Sequence, residues 1–224
     1  MPFFIEMSQK KILIIGGGYK GLKRVEKYLK TGAEIIVYSK SFDEKLTELA
    51  DGNQVKLVKG DVEDYERLEE LIEESDIVMV ALEKKDYNEK IKKITKKYRR
   101  LLNLANDAEE TDLVVPIDST VGPLRIAITT EGKSSIIARE ALHKIVKLLE
   151  EDIELREFTE LMYSVKKIVK KTHFDSKKKL EIYYKIYNNS LLREAIKIGD
   201  YGKAREIVFN ILREEGLRVE EGEL

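Results

Sequence analysis

Three glycines in the spacing Gly16-x-Gly18-x-x-Gly21 follow an apolar run over residues 11–15 and open a segment of helical period. Glycines in this spacing, between a buried strand and a helix, are typical of a loop that binds a dinucleotide. Gly16 permits the tight turn, Gly18 lets the backbone approach a pyrophosphate, and Gly21 allows close packing of helix and strand. The free N–H groups and the helix dipole then favour the phosphates. The alternative is that the glycines serve a tight turn alone.

The acidic residue that usually completes this motif is missing from its expected place. Asp or Glu at the end of the second strand, about 20 residues further on, accepts a hydrogen bond from the ribose 2′-hydroxyl of NAD. Here that place holds Tyr38, Ser39 and Lys40. Lys40 either meets the 2′-phosphate of NADP or is a solvated loop lysine, so these residues alone leave the choice between NAD and NADP open.

Apolar runs of strand length alternate with segments of helical period over the first half of the chain. The runs are 11–15, 34–38, 55–58, 76–82 and 101–105. Strands that alternate with helices form βαβ units and a parallel sheet that helices cover on both faces. We therefore predict an α/β fold whose Rossmann-like parallel sheet lies within residues 1–112.

In the second half of the chain the pattern changes. Two extended pieces, 113–118 and 124–130, flank a predicted turn and have no obvious partner strand within the chain. A helical pattern starts at Ser134, and the segments after it are helical in period. One apolar stripe has the i, i+3, i+4, i+7 spacing of a buried helix face: Phe158, Leu161, Met162, Val165, Ile168 and Val169. We predict a strand and helix region over 113–150 and a helical domain over 151–224.

Two further segments, together with the glycine loop, resemble a known family. The first runs from Asn103 to Asp107 and continues into the apolar residues DLVVP. The second is a helix start preceded by the strand LRIAIT, with Gly132, Lys133, Ser134, Ala138 and Arg139. In order and spacing, these pieces resemble the precorrin-2 dehydrogenase and sirohydrochlorin ferrochelatase family, which includes the dehydrogenase module of bacterial sirohaem synthases.

The resemblance implies NAD-dependent oxidation of precorrin-2 to sirohydrochlorin, in which a hydride and a proton leave the macrocycle. Some members of the family also insert ferrous iron to give sirohaem. The family has a Rossmann domain, a dimerising middle region with intertwined strands, and a helical C-terminal domain, so we expect a homodimer. The family cofactor is NAD, for which we expect these contacts: Gly16, Gly18, Tyr19, Lys20, Gly21, Ser39, Lys40, Ala81 and Leu82.

Asp107 is the predicted catalytic residue. It lies just past the carboxyl end of a predicted parallel strand, where ligands bind in open α/β sheets. A carboxylate there can take a proton as the hydride leaves, although Asp also often closes a loop. The matching position in the family carries the catalytic aspartate, so the resemblance favours the catalytic role.

The predicted substrate contacts are Lys133, Ser134 and Arg139. Precorrin-2 is a polycarboxylate, and positive side chains at a helix start suit carboxylates. Capping of the helix by Ser134 or Ser135 explains the serines without a ligand. The chain departs from the family pattern in two places: Glu131 precedes Gly132 where relatives often show two glycines, and the residues 82–84 replace a common Thr-Asp-Asp.

Composition excludes several other classes of protein. The formal net charge of -1 gives no global field for nucleic acid or an anionic membrane. The chain has no cysteine and two histidines, so we predict neither disulfides nor a metal site. No apolar run approaches the roughly 20 residues of a membrane span. We expect a cytoplasmic enzyme with a small-molecule substrate; the alternative is a non-catalytic NAD(H)-sensing module, which normally keeps an acid after strand two.

Overall fold

A computed structural model describes residues 2–219 of the chain. These residues fall into two compact units. The first unit runs up to Pro116 and also contains Thr129–Ser134, and the second contains Ile117–Ile128 and the chain from Ser135 onwards. The division of the sequence into 1–112, 113–150 and 151–224 stays a prediction.

A parallel sheet forms the centre of the first unit. Its strands are β1 (Lys11–Ile15), β2 (Glu34–Ser39), β3 (Lys56–Lys59), β4 (Ile77–Val80) and β5 (Leu101–Leu104). The strand order β3-β2-β1-β4-β5 is that of a doubly wound, dinucleotide-binding sheet. The predicted α/β class is confirmed. The first and last residues of each strand lie within two positions of the first and last residues of the apolar run that predicted it.

Helices cover both faces of this sheet, because its strands carry apolar side chains in both directions. The helices are α1 (Tyr19–Tyr28), α2 (Glu44–Asp51), α3 (Tyr65–Glu73) and α4 (Asn88–Lys97), with a short 3₁₀ helix at Leu29–Thr31. Leu13 and Ile15 pack in one buried cluster with residues of α3 and α4. Ile12 and Ile14 pack in a second cluster, on the other face, with residues of α1 and α2.

The edge strand β5 is covered by the segment that follows it, which fixes the loop between them. The Leu113 N–H donates to the carbonyl oxygen of Leu102 at 3.0 Å. The side chain of Thr111 accepts the Leu104 N–H at 3.1 Å. The buried amide of Asn103 donates to the Leu113 carbonyl at 2.6 Å. The loop that carries Asp107 is therefore anchored at both of its ends.

The second unit begins with a hairpin of two antiparallel strands, β6 (Ile117–Val121) and β7 (Leu124–Ile128). The expectation that these extended pieces have no partner strand within the chain was wrong, because the short turn between them lets them pair with each other. The first strand also begins later than predicted, at Ile117, since the residues before it cover β5.

Helices make up the rest of the second unit. They are α5 (Ser135–Glu151), α6 (Ile153–Lys170), α7 (Ser176–Tyr187), α8 (Ser190–Lys197) and α9 (Tyr201–Glu214). The predicted stripe on α6 is confirmed: Phe158, Val165, Ile168 and Val169 are buried in one core, and Leu161 and Met162 pack against it. The starts of α6 to α9 are capped by the side chains of Asp152, Asp175, Asn189 and Asp200.

Candidate active site

The glycine loop lies where β1 ends and α1 begins. Gly16 has a φ of +116°, and a Cβ on it would lie 3.1 Å from the carbonyl oxygen of Ala81, so this turn requires glycine. A Cβ on Gly21 would lie 2.0 Å from the Gly16 carbonyl oxygen, which shows how closely α1 approaches β1. A Cβ on Gly18 would meet nothing within 4 Å. The loop therefore leaves open space where the motif brings a pyrophosphate to the backbone.

The start of α1 fits an anion better than the starts of the neighbouring helices. Gly18 is its N-cap, with no side-chain hydrogen bond to the first turn and no acidic residue in that turn. The starts of α2 and α3 are capped instead by the carboxylates of Asp43 and Asp64. Free N–H groups at a helix start, with the positive end of the helix dipole, attract phosphate. Tyr19 and Lys20 occupy this first turn of α1, and both are exposed.

The ends of β2 and β4 lie beside the glycine loop. The position that a Cβ would take on Gly16 is 3.2 Å from Leu82 Cδ2, and the same position on Gly17 is 3.0 Å from the Cβ of Ser39. The Ala81 N–H donates to the carbonyl of the last residue of β1 at 2.8 Å. The structure thus brings Ser39, Ala81 and Leu82 together with the loop. These residues fit a dinucleotide, and their contacts to it stay predictions.

Lys40, the residue after β2, forms an ion pair. Its Nζ lies 2.5 Å from Oδ2 of Asp61, a residue that follows β3. The hydrogen bond with Asp61 raises the pKa of Lys40 above its ordinary value. Asp61 was not predicted as a site residue, although the residues KGD directly after an apolar run place a carboxylate at the end of the strand next to β2.

Asp107 lies in the loop after β5, at the carboxyl edge of the same sheet. Its Oδ2 accepts a hydrogen bond from Lys85 Nζ at 2.8 Å, and its side chain is 19 % exposed. The Lys85 ammonium holds the pKa of the Asp107 carboxyl below its ordinary value. At neutral pH, Asp107 is therefore a carboxylate that is able to accept a proton.

Polar side chains tie the Asp107 loop to the loop after β4. The Asn106 side chain donates to the Lys84 carbonyl at 2.8 Å. The buried Asn88 donates to Oδ1 of Asn106 at 3.0 Å. Lys85 and Asn88 thus hold Asp107 and its neighbour from one side. This role of Lys85 was not predicted from the sequence; Lys85 directly follows the residues 82–84 that depart from the family pattern.

The segment Thr129–Ser134 belongs to the first unit and lies against the Asp107 loop. A Cβ on Gly132 would lie 2.5 Å from the Cβ of Ala108, so the segment passes directly over the residue after Asp107. Thr130 Oγ1 accepts the Ser134 N–H at 2.8 Å and donates to the Ser134 carbonyl at 3.0 Å, which closes the turn. Lys133 is exposed on this turn. Two predicted substrate residues therefore lie in the same unit as Asp107.

The third predicted substrate residue, Arg139, lies in the second unit. Arg139 is exposed on α5. In the lysine-rich segment 164–185, Lys178 pairs with Glu215 at 2.6 Å and Lys185 pairs with Glu214 and Glu215 at 3.0 Å. Carboxylates at the end of α9 therefore neutralise part of this positive charge. The role of Arg139 as a substrate contact stays a prediction.

Residues 2–219 contain neither a cluster of metal-binding side chains nor a helix suited to span a membrane. This part of the chain contains no group of three or more His, Cys, Asp or Glu side chains that could hold a metal ion. The two histidines, His143 and His173, are exposed. In the same range, no helix combines the length and the apolar character that a membrane crossing needs.

Comparison with known proteins agrees with a dinucleotide-binding domain. A family model described as "Putative NAD(P)-binding" matches residues 3–117, and the chain belongs to this family. A curated "Putative precorrin-2 dehydrogenase" from Methanocaldococcus jannaschii is 27% identical over 200 residues, which are 88% of this chain and 94% of that protein. The predicted family resemblance is thus confirmed.

Longer relatives and a solved structure extend the similarity. A siroheme synthase from Psychromonas ingrahamii is 24% identical over 96% of this chain, which spans 44% of that protein. The chain thus covers less than half the length of such relatives. The solved structure titled "SirC, precorrin-2 dehydrogenase" has a TM-score of 0.66 and 20% identity over 95% of this chain and 99% of that one. This likeness supports the fold of both units.

A side chain at Gly18 would test whether the open space there holds the pyrophosphate. Gly18 has a φ of -85°, which alanine adopts freely, so we expect Gly18→Ala to fold normally. Its Cβ would occupy the space that the motif leaves for the pyrophosphate, so we expect the dissociation constant for NADH to rise about tenfold or more. Isothermal titration calorimetry measures this constant.

Gly52→Ala is the matched control, because a Cβ there makes ordinary contacts, 3.6 Å or longer, at the end of α2. We expect it to bind NADH as the unchanged protein does. Equal affinity of the Gly18→Ala and Gly52→Ala proteins would contradict the proposed position of the pyrophosphate.

Proposed function

We propose that this chain is a precorrin-2 dehydrogenase, which oxidises precorrin-2 to sirohydrochlorin with NAD. One observation carries the proposal: the glycine loop and the Asp107 carboxylate lie at the carboxyl edge of one parallel sheet. Ligands of open α/β sheets bind along this edge. The similarity to a protein named for this reaction, over nearly its whole length, supports the choice of substrate.

The reaction requires two hydrogens to leave the macrocycle by different routes. Bound NAD supplies the acceptor for the hydride and its two electrons. Asp107 takes the proton, because its carboxylate is ionised and lies past the end of β5. Lys85 orients the carboxylate and favours its ionised form. The macrocycle gains one double bond for the hydride and the proton that it loses.

Substrate binding is proposed to use the segment Thr129–Ser134. Lys133 offers an exposed ammonium on the turn that lies over Ala108. Ser134 and Arg139 complete the predicted set of contacts to the carboxylates of precorrin-2. An additional ferrochelatase activity stays a prediction.

Replacement of Asp107 tests the catalytic role. We expect Asp107→Ala to bind NADH as tightly as the unchanged protein, because Asp107 lies after β5 and the glycine loop lies after β1. Loss of a general base costs about 10²- to 10⁴-fold in rate, so turnover should fall at least 100-fold. The measurement is anaerobic conversion of enzymatically made precorrin-2, followed by the absorption spectrum of sirohydrochlorin.

Glu109→Ala is the control for this variant, because Glu109 is exposed in the same loop. We expect it to retain full turnover. Unchanged turnover by Asp107→Ala would remove Asp107 from the mechanism. If the unchanged protein binds NADH but does not turn over precorrin-2, the proposed dehydrogenase activity is contradicted and the NAD(H)-sensing alternative is favoured.

The ion pair between Lys85 and Asp107 predicts a shift in the pH dependence of the rate. Lys85→Met removes the group that lowers the pKa of Asp107, so this pKa should rise. Because the protonated carboxyl is no base, the acidic limb of the profile of kcat/KM against pH should move to higher pH. Lys84→Met is the control, since the Lys84 side chain is exposed and its backbone carbonyl is what binds Asn106. Identical profiles for Lys85→Met and Lys84→Met would contradict the role of Lys85.

We further propose that the protein is a homodimer formed through α5 and the β6–β7 hairpin. On α5, just two side chains are buried, while Ile136 and Leu148 are 78% and 69% exposed. Large apolar side chains on one helix favour contact with another protein surface. Because β6 pairs with β7, these strands are not left without a partner and no longer support a dimer. The support for the dimer is the set of exposed apolar side chains on α5.

Ile136→Lys tests the dimer. We expect the unchanged protein to have twice the mass of one chain in multi-angle light scattering, and Ile136→Lys to shift toward the monomer, because a buried lysine at an interface is costly. Glu150→Lys, an exposed site on the same helix, should remain dimeric. A monomeric unchanged protein, or an Ile136→Lys protein that stays dimeric, would overturn the interface.

A further inference from the structure

The end of β2 lacks the carboxylate that normally binds the adenosine ribose, yet the structure places one beside it. Ser39 ends β2 and Lys40 follows it, and neither residue is acidic. Asp61 follows the neighbouring strand β3 and lies 2.5 Å from Lys40. A carboxylate is therefore present near the usual place, although it comes from a different strand.

Contacts between β2 and the loop after β3 fix Asp61 in this position. The Gly60 N–H donates to the Ser39 carbonyl at 3.0 Å, which extends the pairing of the two strands. A Cβ on Gly60 would lie 2.4 Å from the ring of Tyr38, so the chain crosses closely over this buried ring. The Tyr38 hydroxyl donates to the Asp61 carbonyl at 2.7 Å. The backbone of Asp61 is thus held on β2.

The side chain of Asp61 is oriented and charged. Its Oδ1 accepts the Glu63 N–H at 3.1 Å, and its Oδ2 meets the Lys40 ammonium. The hydrogen bond from Lys40, followed by that from Glu63, holds the pKa of the Asp61 carboxyl below its ordinary value. The side chain remains 38% exposed, so a ligand has access to it.

We propose that Asp61 determines the choice of dinucleotide: its carboxylate, held by Lys40, binds the ribose 2′-hydroxyl of NAD and excludes the 2′-phosphate of NADP. This proposal rests on the dinucleotide site of the proposed function and not on precorrin-2. A carboxylate accepts a hydrogen bond from a hydroxyl group, and it repels a phosphate at the same place. Lys40 would attract that phosphate if it were free, but its charge is engaged by Asp61.

The pair explains why a lysine at the end of β2 is compatible with NAD. Lys40 and Asp61 together contribute no net charge, and the Glu63 carboxylate adds a negative charge close by. A 2′-phosphate would have to displace Asp61 from Lys40 and approach Glu63. Lys40 alone leaves the choice between NAD and NADP open, and its ion pair with Asp61 favours NAD.

The test compares the dissociation constants of NADH and NADPH by isothermal titration calorimetry. We expect the unchanged protein to bind NADH more tightly. Asp61→Asn keeps an oxygen for the Glu63 N–H and removes the charge, so the ratio of the two constants should shift toward NADPH by about tenfold or more. The shift should combine weaker NADH binding with stronger NADPH binding, because Lys40 is released.

Two further variants separate this mechanism from a general effect of charge. Lys40→Gln in the Asp61→Asn background should remove the gain in NADPH binding, since the freed lysine is its cause. Glu66→Gln removes one negative charge from the first turn of α3, where Glu66 is exposed, and should leave the ratio unchanged.

The outcomes distinguish this inference from the proposed function. An unchanged ratio for Asp61→Asn, or an equal shift for Glu66→Gln, would overturn the role of Asp61 while the dinucleotide site stands. Failure of the unchanged protein to bind either dinucleotide would overturn the proposed function itself. Because binding is measured without precorrin-2, the result does not depend on the substrate.

Discussion

The close contact between α1 and β1 is the constraint on which the dinucleotide site depends. Gly21 lies against the carbonyl of Gly16, at a distance that leaves no room for a side chain. This contact places the start of α1 next to the end of β1. No side chain caps the N–H groups in the first turn of α1. The open space at Gly18 follows from the same turn. An anion site here is therefore a property of backbone packing, and the side chains around it modify its preference.

Much of this arrangement is local in sequence and could be predicted. Apolar runs predicted the five parallel strands, and the glycine spacing predicted the turn between β1 and α1. Lys85 and Asp61 were missed because each acts on a residue more than 20 positions away, at the end of a neighbouring strand. Register between strands brings such residues together, and a single sequence does not display register. The partner of β6 is local: the two extended pieces flank the predicted turn and pair across it, so the expectation of no partner strand within the chain was wrong.

The departures from the family pattern become intelligible in the fold. Glu131 has a φ of +53° and Gly132 a φ of +86°, so both positions adopt the left-handed conformation in which two glycines are easiest. The chain accepts the strain at Glu131 and keeps glycine at 132, where a Cβ would clash with Ala108. The changed residues 82–84 precede Lys85, which pairs with Asp107. In both places, the departing residues lie in or next to a segment that contacts the Asp107 loop.

Two ion pairs at the carboxyl edge of the sheet have the same arrangement. Lys40 after β2 holds Asp61 after β3, and Lys85 after β4 holds Asp107 after β5. In each pair, adjacent parallel strands end side by side, and the lysine lowers the pKa of the aspartate. Each carboxylate is therefore ionised and ready to accept a hydrogen bond or a proton. Because each pair is neutral overall, neither pair adds net negative charge toward the more distant pyrophosphate or a polycarboxylate substrate, while each carboxylate still excludes an anion from its own position.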